Sequence, residues 1–457
     1  MSAYDIENPV SLPSECMYQL PASLPPAKNI EIRNQPINGS SFSSGNVIQV
    51  DLNAGNRSMY LDCTTSYIRY KITYSITSGS TVGTDYSALI GSAYSPFLRQ
   101  EVYSGSTLLE SINEIGVLVN MMGNMTLNDS DKRGLSPAFG YSDLTTAAYY
   151  SSSNMGHQIN KNSTNQALIF EYAIPVFGIL GNNTDKFFPC AVNALRLELT
   201  CDSVGNFTKR VAGGAFPLLS YTISEFEFVG NYVAFESEPA QQILAQAQNG
   251  KLHIRTSSYR QVGGVLQASS GTGSYDILVP IRVSSLKSMF ISCSPSNAME
   301  GKFAGVNPNL DQGTCLIVSG TNIPSRCLNP SGHPSDAFLS LQKSIGALSF
   351  SVFNGCISRD AWMRTSTAYQ QNQAYNATAN DLTGYTSPNM HYTAVDTEIV
   401  SRKNNLLSGI NVNTIAMYFR AQVGSALSAY QHTLNFFGYY DLILELDIND
   451  GSIVAKY

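Results

Sequence analysis

Every second residue of Tyr67–Thr77 is apolar. Ile68, Tyr70, Ile72, Tyr74 and Ile76 share one face, and Arg69, Lys71, Thr73 and Ser75 share the other. Only an extended strand with one buried face keeps a period of two over that length. The alternation returns in Ile48, Val50 and Leu52, in Leu195, Leu197 and Leu199, and in Ile277, Val279, Ile281 and Val283. It returns again in Leu348, Phe350 and Val352, and in Leu442, Leu444, Leu446 and Ile448. Strands lacking a strand–helix–strand rhythm disfavour a parallel α/β fold and require a second sheet to cover each apolar face.

The pivot of the chain is Leu218–Arg255. A β-rich segment closes at Phe235 and another opens at Lys251. Between them Ser237 is a good N-cap, Glu238 and Pro239 suit a first turn, and Ile243, Leu244 and Ala247 form one apolar stripe. Asn249-Gly250 is a stop signal. The reading is an all-β chain of two tandem eight-stranded antiparallel jelly rolls, 41–236 and 251–457, joined by a short helix at 237–250. An extended, partly polyproline-like arm, 1–40, precedes them, with prolines at 9, 13, 21, 25, 26 and 36.

Within Leu218–Phe235 the apolar phase slips by one between Ile223 and Phe226, which predicts a β-bulge near Ser224–Glu225. Leu108, Ile112, Ile115, Leu118, Val119 and Met122 recur at helical spacing and predict a helix over Thr107–Met122, with Glu110, Asn113 and Glu114 on its polar side. A short helix carrying Trp362 is expected after Ser358. Residues 124–166, 294–336 and 364–396 read as long polar loops, of a length that is usually functional or contact-making.

Only 13% of the 457 residues are charged, and the net charge is −6. A surface rich in hydroxyls, amides and 26 tyrosines suits extensive burial against other subunits. No Lys/Arg cluster exists, so direct sequence-specific nucleic-acid binding is not expected. The N-terminus MSAYDIENPVSLPSEC lacks a positive start and an apolar stretch, so no signal peptide is expected, and no run is long enough to span a membrane. The eight cysteines, at 16, 63, 190, 201, 293, 315, 327 and 356, have no zinc-site spacing and are expected as free thiols. Eight Asn-x-Ser/Thr triplets read as chance products of a Ser/Thr/Asn-rich chain.

The chemical motifs are sparse. No phosphate-binding loop, zinc-protease helix or nucleophile elbow is present. Gly263-Gly264 and Gly271-Thr272-Gly273 read as a flexible hairpin tip. His157, His333 and His391 fall in loops, and His253 and His432 in strands, with no local triad signature. Three carboxylate pairs, Glu225/Glu227, Asp129/Asp131 and Glu445/Asp447, offer an acid–base couple on paper. A solvated sheet face explains the strand pairs more simply.

Four segments resemble one family. SPFLRQEVYSGSTLLESINEIGVLVNMM (Ser95–Met122) is similar to a strand that enters a helix in the first roll of double jelly-roll major capsid proteins. FEYAIPVFGILGNNTDKFFPCAVNALRLELTC (Phe170–Cys201) resembles the strand, loop and strand that end that roll's core. EFEFVGNYVAFESEPAQQIL (Glu225–Leu244) looks like the junction of the rolls, and NNLLSGINVNTIAMYFRAQ (Asn404–Gln422) like a late second-roll segment. The family covers polinton-like viruses, virophages, adintoviruses and the large eukaryotic DNA viruses, with adenovirus hexon a distant relative. The wording PVFGIL is closer to the small polinton-like, virophage and adintovirus type than to the aromatic-rich large-virus type.

The resemblance implies a homotrimer forming a pseudo-hexagonal tile of an icosahedral DNA virus shell, made in the host cytoplasm and residing in the virion. Neighbouring capsomers, penton and minor capsid proteins would be its partners, through the arm and loops. It implies no catalytic, cofactor-binding or metal residue, and no enzyme. The competing readings are a two-domain β-sandwich hydrolase acting on glycans and a carbohydrate-binding or spike protein. A single-roll RNA-virus capsid is weakened by the missing basic arm.

Overall fold

The computed structural model describes residues 27–52, 59–77, 86–89, 92–126, 134–135, 138–139, 158–160, 167–183, 186–190, 195–210, 218–235, 250–266, 273–295, 317–318, 321–322, 338–345, 348–354, 392–397, 408–414, 417–423, 432–449 and 451–456. In the first half the main elements are β1 (Ala27–Asn34), β2 (Val47–Leu52), β3 (Met59–Thr77), β4 (Phe97–Ser104), β5 (Thr107–Asn113), α1 (Ile115–Thr126), β6 (Ala167–Pro175), β7 (Leu195–Cys201) and β8 (Leu218–Phe235). In the second half they are β9 (Lys251–Leu266), β10 (Gly273–Val279), β11 (Leu286–Pro295), β12 (Phe338–Ile345), β13 (Leu348–Asn354), β14 (Tyr392–Asp396), β15 (Met417–Val423), β16 (His432–Asp447) and β17 (Ile453–Lys456).

The strand order is the same in both halves. In the first, one sheet runs β1-β8-β3-β6 and the other β2-β7-β4-β5. In the second, one runs β9-β16-β11-β14, with β17 added beside β16, and the other β10-β15-β12-β13. Counted within each half, the first, eighth, third and sixth strands make one sheet and the second, seventh, fourth and fifth make the other. All these pairings are antiparallel. This is the double wrapping of a jelly roll, made twice.

The period-two pattern places the core. Ile68, Tyr70, Ile72 and Tyr74 of β3 are buried, and Val50, Leu52, Leu197, Leu199 and Val102 meet them from the other sheet. Tyr70 packs against Phe97 with ring centroids 5.4 Å apart and against Phe226 at 6.3 Å, so one aromatic cluster ties β3, β4 and β8 together. The bulge in β8 lies where the phase slip placed it. Ser224 stands opposite Lys71 and Glu227 opposite Arg69, so two residues face Tyr70 alone. Tyr221 and Ile223 point inward before it, and Phe226 and Phe228 after it.

Several expectations are corrected. Residues 27–34, assigned to the arm, are the first strand of the roll: Ala27 pairs with Phe235 through to Asn34 with Phe228. Prolines flank the strand without interrupting its ladder. The helix expected over Thr107–Met122 begins only at Ile115; residues 107–113 form β5, hairpinned to β4 through Gly105 (φ 58°) and Ser106. Glu114, at φ 53°, turns the chain from strand into helix. Gly263 and Gly264 are not a hairpin tip but lie in β9, opposite Asn435 and Leu434. A Cβ on Gly264 would stand 2.9 Å from Phe436 Cε2 and 3.1 Å from Ile277 Cγ2. β10 stops at Val279 because Pro280 has no N–H to give, although Ile281 and Val283 stay buried. β14 closes what was read as the loop 364–396. The connector helix at 237–250 and the Trp362 helix lie outside the described residues, apart from Gly250, as does most of the three long loops.

Candidate functional site at the joint between the rolls

The two rolls meet where β5, the edge of one sheet, comes beside β9, the edge of another. No backbone ladder joins them. A turn over Val176–Asn183, immediately after β6, closes the gap. Its backbone is held by Asn182 N–H donating to Gly178 O at 2.8 Å and by Gln100 Nε2 donating to Phe177 O at 2.8 Å. Gly178 sits at φ 77°, and a Cβ on Gly181 would lie 2.1 Å from Val176 O, so this turn needs both glycines. PVFGILGNN, part of the second resembling segment, is therefore the clasp of the joint.

Three hydrogen bonds cross from the clasp and β5 to β9. Thr256 Oγ1 donates to Ile179 O at 2.8 Å, Asn182 Nδ2 donates to Ser257 O at 2.9 Å, and the Ser258 hydroxyl donates to Glu110 Oε1. Phe177 stacks on Tyr259 at 5.1 Å, Tyr259 lies against Tyr439 at 5.0 Å, and Lys287 Nζ stands 5.2 Å from the Tyr439 ring centre. The ladder runs from the joint toward Asp441.

Sequence reading missed the two buried carboxylates beside this ladder. Glu110, expected on a solvent face, is 2% exposed on β5, where its Oε1 also accepts from Ile179 N–H at 2.9 Å. Burial pushes its carboxyl up to about 7, against the opposing pull of the Ser258, Ile179 and Gln100 hydrogen bonds. Asp441, which alternates with Leu442, Leu444 and Leu446 in sequence, is fully buried because the 408–410 segment covers the middle of β16 there. Its Oδ2 accepts from Ser285 Oγ at 2.8 Å and Ser408 N–H at 3.0 Å, and its Oδ1 lies 3.5 Å from Arg255 Nη2 and 3.8 Å from Lys287 Nζ.

The described carboxylates weighed for catalysis stand apart from this joint, and Glu225, Glu227 and Glu445 face cations. Glu225 Oε1 is 2.7 Å from Lys71 Nζ, which holds its carboxyl below the usual range, and Glu227 Oε2 is 3.8 Å from Arg33 Nη1. Glu445 is lowered first by Lys456, with Lys251 at 3.4 Å and His253 Nε2 at 3.6 Å. A glycosidase acid needs the opposite shift. The shallow hollow beside the bulge is lined by Pro36, Gly39, Arg69 and Glu227 among others, with Glu225 also on its wall. Asp129, Asp131, His157, His333 and His391 lie outside the described residues. Of the described thiols, Cys63, Cys190 and Cys201 are free, as expected. Among the described residues no cluster is suited to a metal and no helix is long and apolar enough to cross a membrane.

No protein-family model and no curated protein matches the chain. Solved structures do. The chain is similar to the mavirus major capsid protein with a TM-score of 0.55 and 11% identity, over 100% of this chain and 95% of that one. It is similar to a chain of the PBCV-1 virus capsid at 0.58 and 11%, over 96% and 98%. The Faustovirus major capsid protein matches at 0.57 and 8%, over 94% and 92%. With the repeated strand order, these likenesses identify the fold of this chain as the double jelly roll of such capsid proteins.

Proposed function

We propose that this chain is the major capsid protein of an icosahedral DNA virus, a structural virion protein that assembles as a homotrimer. The observation that carries the reading is that capsid proteins match both rolls, nearly end to end on each side, at identities near one in ten. The remaining features agree. The charge-poor surface suits broad contact with other subunits. Glu225, Glu227 and Glu445, the described glutamates of the candidate pairs, each lie beside a cation, which supports a non-enzymatic role over a hydrolase. The arm before Ala27 and the long loops are the segments proposed to meet neighbouring capsomers and penton or minor capsid proteins.

Light scattering on the purified protein tests this directly. A single species at about three times the 49.5 kDa chain, persisting until the chain unfolds, supports the capsomer, and electron microscopy should then show hexagonal tiles. A stable monomer under all solution conditions would refute it.

A further inference from the structure

Glu110 is held at once by both rolls and by the clasp. Ile179 N–H, from the clasp, and the Ser258 hydroxyl, from β9, both point at its Oε1. The clasp backbone lies so close that a Cβ on Gly178 would fall 2.1 Å from its Oε2. Among the described residues no cation is placed to neutralise it. On β4, Arg99 pairs with Glu101 at 3.3 Å, and Glu101 accepts from Ser111 Oγ of β5 on the opposite face. On β9, Arg255 turns to Asp441 and Arg260 to Arg282 O at 3.3 Å. Lys456 of β17 is engaged by Glu445, and Glu114 begins the turn into α1. The described clasp residues carry no charge, and the Tyr94 hydroxyl beside it donates to Pro175 O. An ionised Glu110 would thus be a charge with hydrogen bonds but no counter-ion among the described residues of the seam.

We propose that Glu110 is a proton-operated latch between the rolls: neutral, it lets the clasp and β9 close over it; ionised, it loosens them. The direction follows from burial. The closed joint keeps the proton up to about pH 7, whereas an opened joint releases it near the ordinary glutamate value of 4.5. In that window the closed state binds more protons, so closure weakens as pH rises and levels off above about 7. The opening equilibrium should grow by nearly tenfold per pH unit between about 5 and 7.

The test is hydrogen exchange read by mass spectrometry on the full-length protein from pH 5 to 9, corrected for intrinsic exchange. Peptides covering 176–183 and 254–260 report on the latch, and 195–201 serves as the reference. The expected result is protection at the joint that falls through that window and then levels, with the reference unchanged. Glu110→Gln, a neutral isostere, should remove the slope. Ser258→Ala deletes a donor that favours the charged form, so levelling should move to higher pH; this variant carries the test if Glu110→Gln does not fold. Flat protection in the native protein, a slope shared by the reference, a slope that survives Glu110→Gln, or an unmoved levelling point in Ser258→Ala would each overturn the proposal.

Discussion

Lys71 Nζ meets Glu225 Oε1 at 2.7 Å across the bulge of β8, and Glu225 holds its backbone at φ 48° to be there. That left-handed conformation costs any residue with a Cβ and costs glycine nothing. The ion pair is solvent-exposed, so it offsets little of the strain. Glu225→Gly should therefore unfold at a higher temperature than Glu225→Ala, by roughly 2 °C. Calorimetry on the two variants checks it, since both lose the ion pair and differ only in the backbone. Equal midpoints would mean that the bulge is unstrained.

The bulge was legible because burial on a strand depends on the strand's own period. Tyr221 and Ile223, then Phe226 and Phe228, announce the slip before any partner is known. Other features depend on distant chain. Leu108, Ile112 and Ile115 fit a helix as well as a hairpin, and the two-residue turn at Gly105-Ser106 decided between them. β1 was read as arm because its value as a strand comes from pairing with β8, some two hundred residues on. Glu110 and Asp441 look like surface carboxylates in sequence. What buries them is the clasp after β6 in one case and the 408–410 segment in the other. The alternating strands on either side of the Leu218–Arg255 pivot carried the two-roll plan, the four resembling segments supported it, and the repeated strand order agrees with it.

Gly178 should tolerate nothing larger. A methyl group there meets the Glu110 carboxylate at 2.1 Å and must also sit at φ 77°. Neither neighbour can retreat, because Glu110 is enclosed and Gln100 fixes the preceding carbonyl. Gly178→Ala is expected to cost about 3 kcal/mol or more in urea unfolding, the combined scale of overpacking and left-handed strain. Gly205→Ala is the control, since a Cβ there meets nothing within 4 Å. It should be within about 0.5 kcal/mol of the parent.

The core thiols should be chemically silent. Burial pushes Cys63, Cys190 and Cys201 up to about 12, so the thiolate is a minute fraction at pH 8. Brief alkylation of the native protein followed by peptide mapping should leave all three unmodified, and alkylation in denaturant should modify all three. Rapid native labelling of Cys63 would show that the first core opens far more often than its packing implies.

Asp441 gives the sharpest stability test. Its carboxylate lies between Arg255 and Lys287 and accepts from Ser285 and Ser408 with almost no contact with water. Asp441→Asn keeps the volume but removes the negative charge, leaving two cations facing a neutral amide whose NH₂ cannot accept. Lys287 is also committed to the Tyr439 face, and Arg255 is only partly exposed, so neither swings free without breaking other contacts. Removing one partner of a buried ionic cluster costs roughly 3–5 kcal/mol, far more than the cluster is worth against an apolar replacement. Urea unfolding of the variant should show a loss in that range with an unchanged slope. Adding Lys287→Met should recover part of it, because the unpaired cation is then gone while its packing on Tyr439 remains. A loss below about 1 kcal/mol in the single variant would mean that water already reaches the cluster, and that the 408–410 segment does not seal the middle of β16.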